Sequence, residues 1–235
     1  MPIATIEPKR LYRQIADQLL SLIDKGEFSV GKRLPSERDL AIQLGVSRPS
    51  VREALIALEV GEIIEVRMGS GIYVLERKKQ HNYSQIDIEW GPLELLRARE
   101  IIESEVAFLA AQNATNSDIK SIDTALKEMK KQAKSESIPR QGDEDFHIAI
   151  ANACGNEVLR DTVHSYWKAQ SGHLFRRFTQ YFENPPSWDA AMLEHELIFK
   201  AIREKRPGAA KLAMQKHLKK AHQRYSASWR RAKLT

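Results

Sequence analysis

The feature that most constrains the fold is a change of hydrophobic period at Gly61. Before it, apolar residues recur at helical spacing; after it, β-forming residues flank a glycine-rich tip. Leu11, Ile15, Leu19, Leu22 and Ile23 make an amphipathic first helix, and Gly26 suits a left-handed cap at its end. Gly31 and Pro35 punctuate the connection. Ser36, with Asp39 three residues on, resembles a capping box and opens a second helix buried through Leu40, Ala41 and Leu44. Gly45 stops that helix, Val46 leads into Ser47 as a second N-cap, and a third helix runs from about Arg48 to Val60. Val51, Ala54, Leu55 and Leu58 form its inward stripe. Ile63, Ile64 and Val66, then Ile72, Tyr73 and Val74, flank Met68-Gly69-Ser70-Gly71 and read as a hairpin. A helix-turn-helix followed by such a hairpin is a winged helix.

From Leu93 onward the signal is helical, with breaks near Asn116, Ser137–Gly142, Gly155, Pro185–Pro186 and Pro207. That gives about six or seven helices and no strand signal, an all-α bundle. The expected organisation is a mainly α chain: a winged helix-turn-helix with a small β-hairpin over 8–76, a polar linker over 77–90 and a helical domain over 91–230. No stretch approaches the roughly 20 apolar residues that span a bilayer. The segment from Met1 to Arg10 carries Glu7 and Pro8 and lacks the apolar core of a secretory signal. The single cysteine, Cys154, has no intramolecular disulfide partner and reads as a small packed residue. A reducing cytoplasm is the expected compartment.

The net charge of +6 points weakly to a polyanionic partner. Its distribution does not locate that partner. Basic and acidic residues nearly balance from Met1 to Lys79, whereas beyond Glu196 the many Lys and Arg, among them Lys216, Lys220, Arg230 and Arg231, face Glu204 alone. A solvated helix face explains such a tail well. Particular residues carry more. Arg48 and Arg52 lie four apart in the N-terminal half of the third helix, the part that enters a major groove in this motif, and both are expected to face solvent. A guanidinium pairs bidentately with guanine O6 and N7 or grips a phosphate. Arg38 is placed to reach the flanking backbone, and the Ser47 and Ser50 hydroxyls add phosphate contacts. Gly69 at the hairpin tip permits close approach of the backbone.

In the helical domain, Asp143 and His147 are four apart and share a helix face, while His195 and His217 stand on later helices. One carboxylate and three imidazoles suit a divalent transition metal such as Zn, Mn or Ni, although spacing alone does not bring them together. Asp145, two residues from His147, lies on the other side of the helix. Arg99 and Glu103 also stand four apart, with an exposed ion pair as the plain reading.

The ordered motifs Leu34-Pro35-Ser36-Glu37-Arg38-Asp39-Leu40-Ala41, Gly45-Val46-Ser47-Arg48, Val51-Arg52-Glu53-Ala54-Leu55 and Gly69-Ser70-Gly71 resemble the GntR family of bacterial regulators. They cover almost the whole first domain. The resemblance implies that Arg38, Arg48 and Arg52 contact operator DNA and that the wing tip enters the minor groove. Asp143-Glu144-Asp145-Phe146-His147 with Gly155-Asn156, Glu194-His195 and Ala213-Met214-Gln215-Lys216-His217-Leu218 resemble the FCD effector domain of the FadR branch. That likeness implies a metal held by Asp143, His147, His195 and His217, with Arg99 pointing into an effector pocket as a carboxylate anchor. More narrowly, Gly91 to Arg99, Glu103-Ser104 and Ala209 to Met214 are similar to repressors of hexuronate catabolism. Those repressors tend to carry an Arg and an Asn-Pro pair after the tryptophan matching Trp167, where this chain has Lys168-Ala169-Gln170-Ser171-Gly172-His173.

The reading is a DNA-binding regulator, a dimeric repressor on a palindromic operator, released by a small carboxylate. A metal-dependent enzyme is the rival, because Asp and His around a metal can activate water. No acid–base motif accompanies those ligands, and an enzyme has no use for the N-terminal reader. A purely architectural DNA-binding protein would leave the larger second domain without a role.

Overall fold

The computed structural model describes residues 10–67, 69–76, 90–134 and 138–226. The chain divides into two compact units, Met1–Gly91 and Pro92–Thr235.

In the first unit, α1 (Leu11–Asp24), α2 (Glu37–Leu44) and α3 (Arg48–Val60) precede β1 (Ile64–Arg67) and β2 (Gly71–Val74). Helix α1 buries Tyr12, Ile15, Ala16 and Leu19 against α3; Leu11, expected inward, is exposed. The α2–α3 turn follows the sequence closely. Ser36 Oγ accepts from the Asp39 amide at 3.2 Å and donates to its carboxylate at 2.6 Å. Gly45 ends α2 in the left-handed region at φ 65°, where glycine avoids the Cβ clash. Ser47 caps α3 by accepting from the Ser50 amide at 3.2 Å. The strands pair antiparallel, with Ile64 opposite Val74 and Arg67 opposite Gly71, and Arg33 adds one bridge to Tyr73. Ile64, Val66, Ile72 and Val74 are buried. Met68 and residues 77–89, most of the expected linker, lie outside the described residues, as do Ser137, Arg230 and Arg231.

The second unit has seven helices among its described residues: α4 (Pro92–Asn113), α5 (Asn116–Lys134), α6 (Arg140–Asn152), α7 (Glu157–Gln170), α8 (His173–Phe182), α9 (Pro185–Arg203) and α10 (Pro207–Ser226). Its core is built from Val106, Ala107, Ile122, Met129, Phe146, Ile150, Val163, Ile198, Ile202 and Met214, among others. Helix α4 packs chiefly along α10, and α5 along α6. Two local expectations change. Gly142, expected within a helix break, sits buried inside α6 where it crosses α5; a Cβ there would lie 2.5 Å from Met129 Cα. The breaks include an unanticipated one at Ser171-Gly172, separating α7 from α8. Cys154 is buried, in the turn after α6, and forms no disulfide. Among the described residues, no helix is long and apolar enough to cross a membrane.

Candidate metal centre and nucleic-acid interface

Helices α6, α9 and α10 deliver Asp143, His147, His195 and His217 to one point, with one ligand atom of each within 4.8 Å of all the others. The local causes are simple. Asp143 and His147 are one turn apart on α6, and Phe146, Ile198 and Met214 set α6, α9 and α10 into one apolar core. The rings of His195 and His217 lie 4.3 Å apart between centroids, and Phe146 meets His195 edge-on at 5.0 Å. All three histidines are buried.

Outer carboxylates fix the rings. Glu103 Oε2 lies 2.5 Å from His147 Nδ1, and Glu194 Oε2 lies 2.9 Å from His217 Nδ1. Each carboxylate therefore accepts a hydrogen bond from its imidazole's Nδ1–H and leaves Nε2 as a lone-pair donor toward the cluster. Lys220 donates to the other oxygen of Glu194 at 2.7 Å. Burial would raise Glu103, but the Arg99 guanidinium and His147 hold it at about 2. Burial acts likewise on Glu194, and its bonds from His217 and Lys220 hold it at about 2. Asp143 falls below the ordinary carboxylate range because His195, His147 and His217 outweigh its burial. His195 and His217 are lowered by burial, His217 to about 3, so both are neutral near pH 7.

A buried polar atom without a partner is costly, and such atoms cluster here. Asp143 Oδ1, His147 Nε2 and both ring nitrogens of His195 make no hydrogen bond, although Asp143 Oδ1 and His195 Nε2 lie 2.9 Å apart. Three buried imidazoles and an ionised carboxylate form a donor set that fits a divalent transition metal. Asp145 is exposed, on the far side of α6, as expected.

Arg99 is buried, not an exposed partner of Glu103: its Nε donates to Glu103 Oε1 at 2.6 Å and its guanidinium stacks over Trp167 at 4.3 Å. With Asp143 and His217 it lines a cavity of about 430 Å³ of empty volume. Glu103 thus faces two ways, to the cavity-lining arginine and to a cluster histidine. His173 and Arg176 are exposed, and Arg177 donates to Gln180 at 2.9 Å. Sequence reasoning noticed Glu103 and Glu194 but gave neither an outer role. Their i,i+4 and adjacent spacings were visible, whereas their partners on other helices were not.

In the first unit Arg38 is exposed on α2, and Gly69 is exposed at the hairpin tip with φ 81°. Ser47 and Ser50 are engaged in the α3 cap, their hydroxyls 2.8 Å apart. Arg48 projects from the start of α3 with its side chain 49% exposed, its Nε donating to Glu37 at 2.9 Å. Arg52 differs from the expectation. It is 1% exposed, donating to both oxygens of Glu37 at 2.9 and 2.8 Å. One buried carboxylate therefore holds both arginines, a role for Glu37 that spacing along the chain does not reveal.

A winged helix and an all-α domain with a buried cluster of metal-ligating side chains beside a cavity are the parts of a DNA-binding regulator. Residues 11–74 match the bacterial regulatory proteins of the gntR family, and residues 94–220 match the FCD domain. The chain belongs to the GntR family of transcription regulators, in its FadR-type branch with an FCD domain. It is 38% identical over 218 residues to the Exu regulon transcriptional regulator of Escherichia coli K12, covering 90% of this chain and 83% of that one. It is 37% identical to the Uxu operon transcriptional regulator of the same strain, covering 92% of this chain and 87% of that one. The solved structure of Lar, described as controlling expression of the Listeria monocytogenes agr system, aligns at TM-score 0.50 and 17% identity. That alignment covers 94% of this chain and 98% of Lar and speaks to the fold alone. The family and these relatives are regulators, which sets the enzyme reading aside.

Proposed function

We propose that the protein is a cytoplasmic repressor that binds a palindromic operator as a homodimer and is released by a small carboxylate bound beside a divalent metal. The observation that carries the sensing half is the buried cluster of Asp143, His147, His195 and His217, with unpartnered ligand atoms and Arg99 on the same cavity wall. These four residues would hold the metal, with Zn, Mn and Ni the candidates, and the metal would supply a Lewis-acid anchor for an anionic ligand. Arg99 supplies the second positive anchor, suited to a carboxylate. Hexuronates are the first acids to test, given the resemblance from Gly91 to Arg99 and the likeness to the Exu and Uxu regulators.

Arg38, Arg48 and Arg52 are the proposed operator contacts, with Ser47, Ser50 and Gly69 at the backbone. Two readers related by a two-fold axis require matching half-sites, which is the reason for the dimer and the palindrome.

The test has two arms. Protein never exposed to chelator should contain about one divalent metal per chain by elemental analysis, with His147→Ala and His217→Ala losing it and His164→Ala, on an exposed position, retaining it. Metal-loaded protein on labelled operator is then titrated with glucuronate, galacturonate, fructuronate and lactate. No metal in the parent rejects the centre; no acid altering operator affinity rejects the switch.

A further inference from the structure

Residues 31–34 do more than connect α1 to α2. The Leu34 amide donates to the Ile72 carbonyl at 2.8 Å, the Val74 amide to the Lys32 carbonyl at 3.0 Å and the Gly31 amide to the Val74 carbonyl at 2.8 Å. The segment thus runs antiparallel along β2, on the edge that β1 leaves free. Side chains alternate across a pleat. Leu34, Ile64, Val66, Ile72 and Val74 are buried on the inner face, which puts Arg33 on the outer face with Arg67, Gly71 and Tyr73.

Arg33 does not stand upright from that face. A Cβ built on Gly71 would lie 2.4 Å from Arg33 Nε, so the side chain starts opposite Tyr73 and lies flat across Gly71, two residues nearer the tip. The backbone of Gly71, at φ 137°, also favours glycine. The guanidinium is therefore carried toward Gly69 and Ser70. Arg67 is differently placed: it donates to Glu65 at 2.7 Å and stacks over the Tyr73 ring at 4.6 Å. Arg33 is exposed, and among the described residues no carboxylate is paired with it.

An unpaired cation aimed along a wing meets DNA in one of two ways. It grips a phosphate, which adds affinity on every sequence, or it enters the minor groove where the groove is narrow and its negative potential strongest. Gly69, Ser70 and Gly71 surround Arg33 with almost no side-chain bulk, which suits entry. A narrow groove belongs to A·T runs, where no guanine amino group projects into it. We propose that Arg33 reads minor-groove width beside the wing, so that the operator includes A·T-rich positions outside the bases met by α3. The inference rests on the wing contact proposed above at Gly69.

Binding sites are selected from random duplex DNA with the full-length parent and with Arg33→Gln, which keeps the stem over Gly71 and removes the charge. The parent should yield a palindrome with A·T-rich positions on the wing side of each half, and the variant the same palindrome without them. Anisotropy on the parent's palindrome then compares A·T, G·C and inosine·C flanks, since inosine presents guanine's major-groove edge without the minor-groove amino group. The parent should bind A·T and inosine·C flanks about five- to tenfold more tightly than G·C flanks, and Arg33→Gln should hold all three within about twofold. Retention of the palindrome shows that the variant's reader is folded, and the inosine comparison tests the parent without any variant. A parent indifferent to the flank, or one that treats inosine·C as G·C, overturns the inference. So does an Arg33→Gln protein whose affinity falls by one factor on every flank, the mark of a phosphate grip. Selection of no palindrome by the parent removes the operator reading and this inference together.

Discussion

Glu37 faces two arginines that a sequence reader treats as equivalents, and burial separates them. Arg48 is half exposed, so Arg48→Ala should cost about 1–3 kcal/mol of specific operator binding and leave the unfolding midpoint in urea nearly unchanged. Arg52→Ala should lose operator affinity and, in addition, about 1–3 kcal/mol of stability, because it removes two of the three arginine bonds to a buried carboxylate and leaves only that from Arg48. Anisotropy on labelled operator at matched salt, with urea unfolding of each variant, separates the two effects. Equal stability losses would place Arg52 in solvent after all. This difference was invisible in the sequence because Arg52 and Glu37 lie on different helices, and spacing describes only neighbours on one. The caps of α2 and α3 were legible for the opposite reason: Ser36 with Asp39 and Ser47 with Ser50 are contacts three residues apart.

The contact of α5 with α6 depends on Gly142, where any side chain meets the Met129 backbone. Gly142→Ala should destabilise the second unit by about 1–3 kcal/mol through overpacking, despite alanine's better helix propensity. Thermal unfolding checks this, and a stabilised variant would contradict the crossing. The sequence offered a glycine near a proline and so read a break; only the facing helix explains why it is glycine within a helix. At the end of α8, Glu183 is held near 7 by burial and by Asp143, against Tyr225, Arg140 and Arg224, which lower it. A carboxyl raised in the folded state binds more protons there than in the unfolded chain, so its contribution is intact below about 4.5 and is lost as pH rises through 7. Glu183→Gln should flatten that part of the stability profile of metal-free protein between pH 5 and 8, as read by chemical denaturation at each pH. A parent profile that does not fall relative to the variant would contradict it. The metal ligands were partly legible: the Asp143 and His147 pair followed from helical spacing, but the convergence of α9 and α10 followed only from resemblance, because packing of distant helices leaves no local mark.

At the scale of the molecule, the proposal requires each unit to respond to the other. Light scattering should give a dimer on operator DNA, and a monomer both free and bound would remove the palindrome. A coupling of about 1–3 kcal/mol between acid and operator would change operator affinity roughly 5- to 150-fold. A second coupling is built more tightly. Glu103 divides its two oxygens between Arg99 and His147, joining the residue proposed to meet the acid to one proposed to hold the metal. An anion that draws Arg99 away returns electron density from Glu103 toward the imidazole and strengthens it as a donor. Equilibrium then demands symmetry: by whatever factor the acid raises metal affinity, as read by competition with a chelator at equilibrium, metal must raise affinity for the acid. Glu103→Gln should weaken that mutual dependence while both binding sites persist. Such a protein would answer nutrient and trace-element supply as one combined quantity, silent to either when the other is scarce.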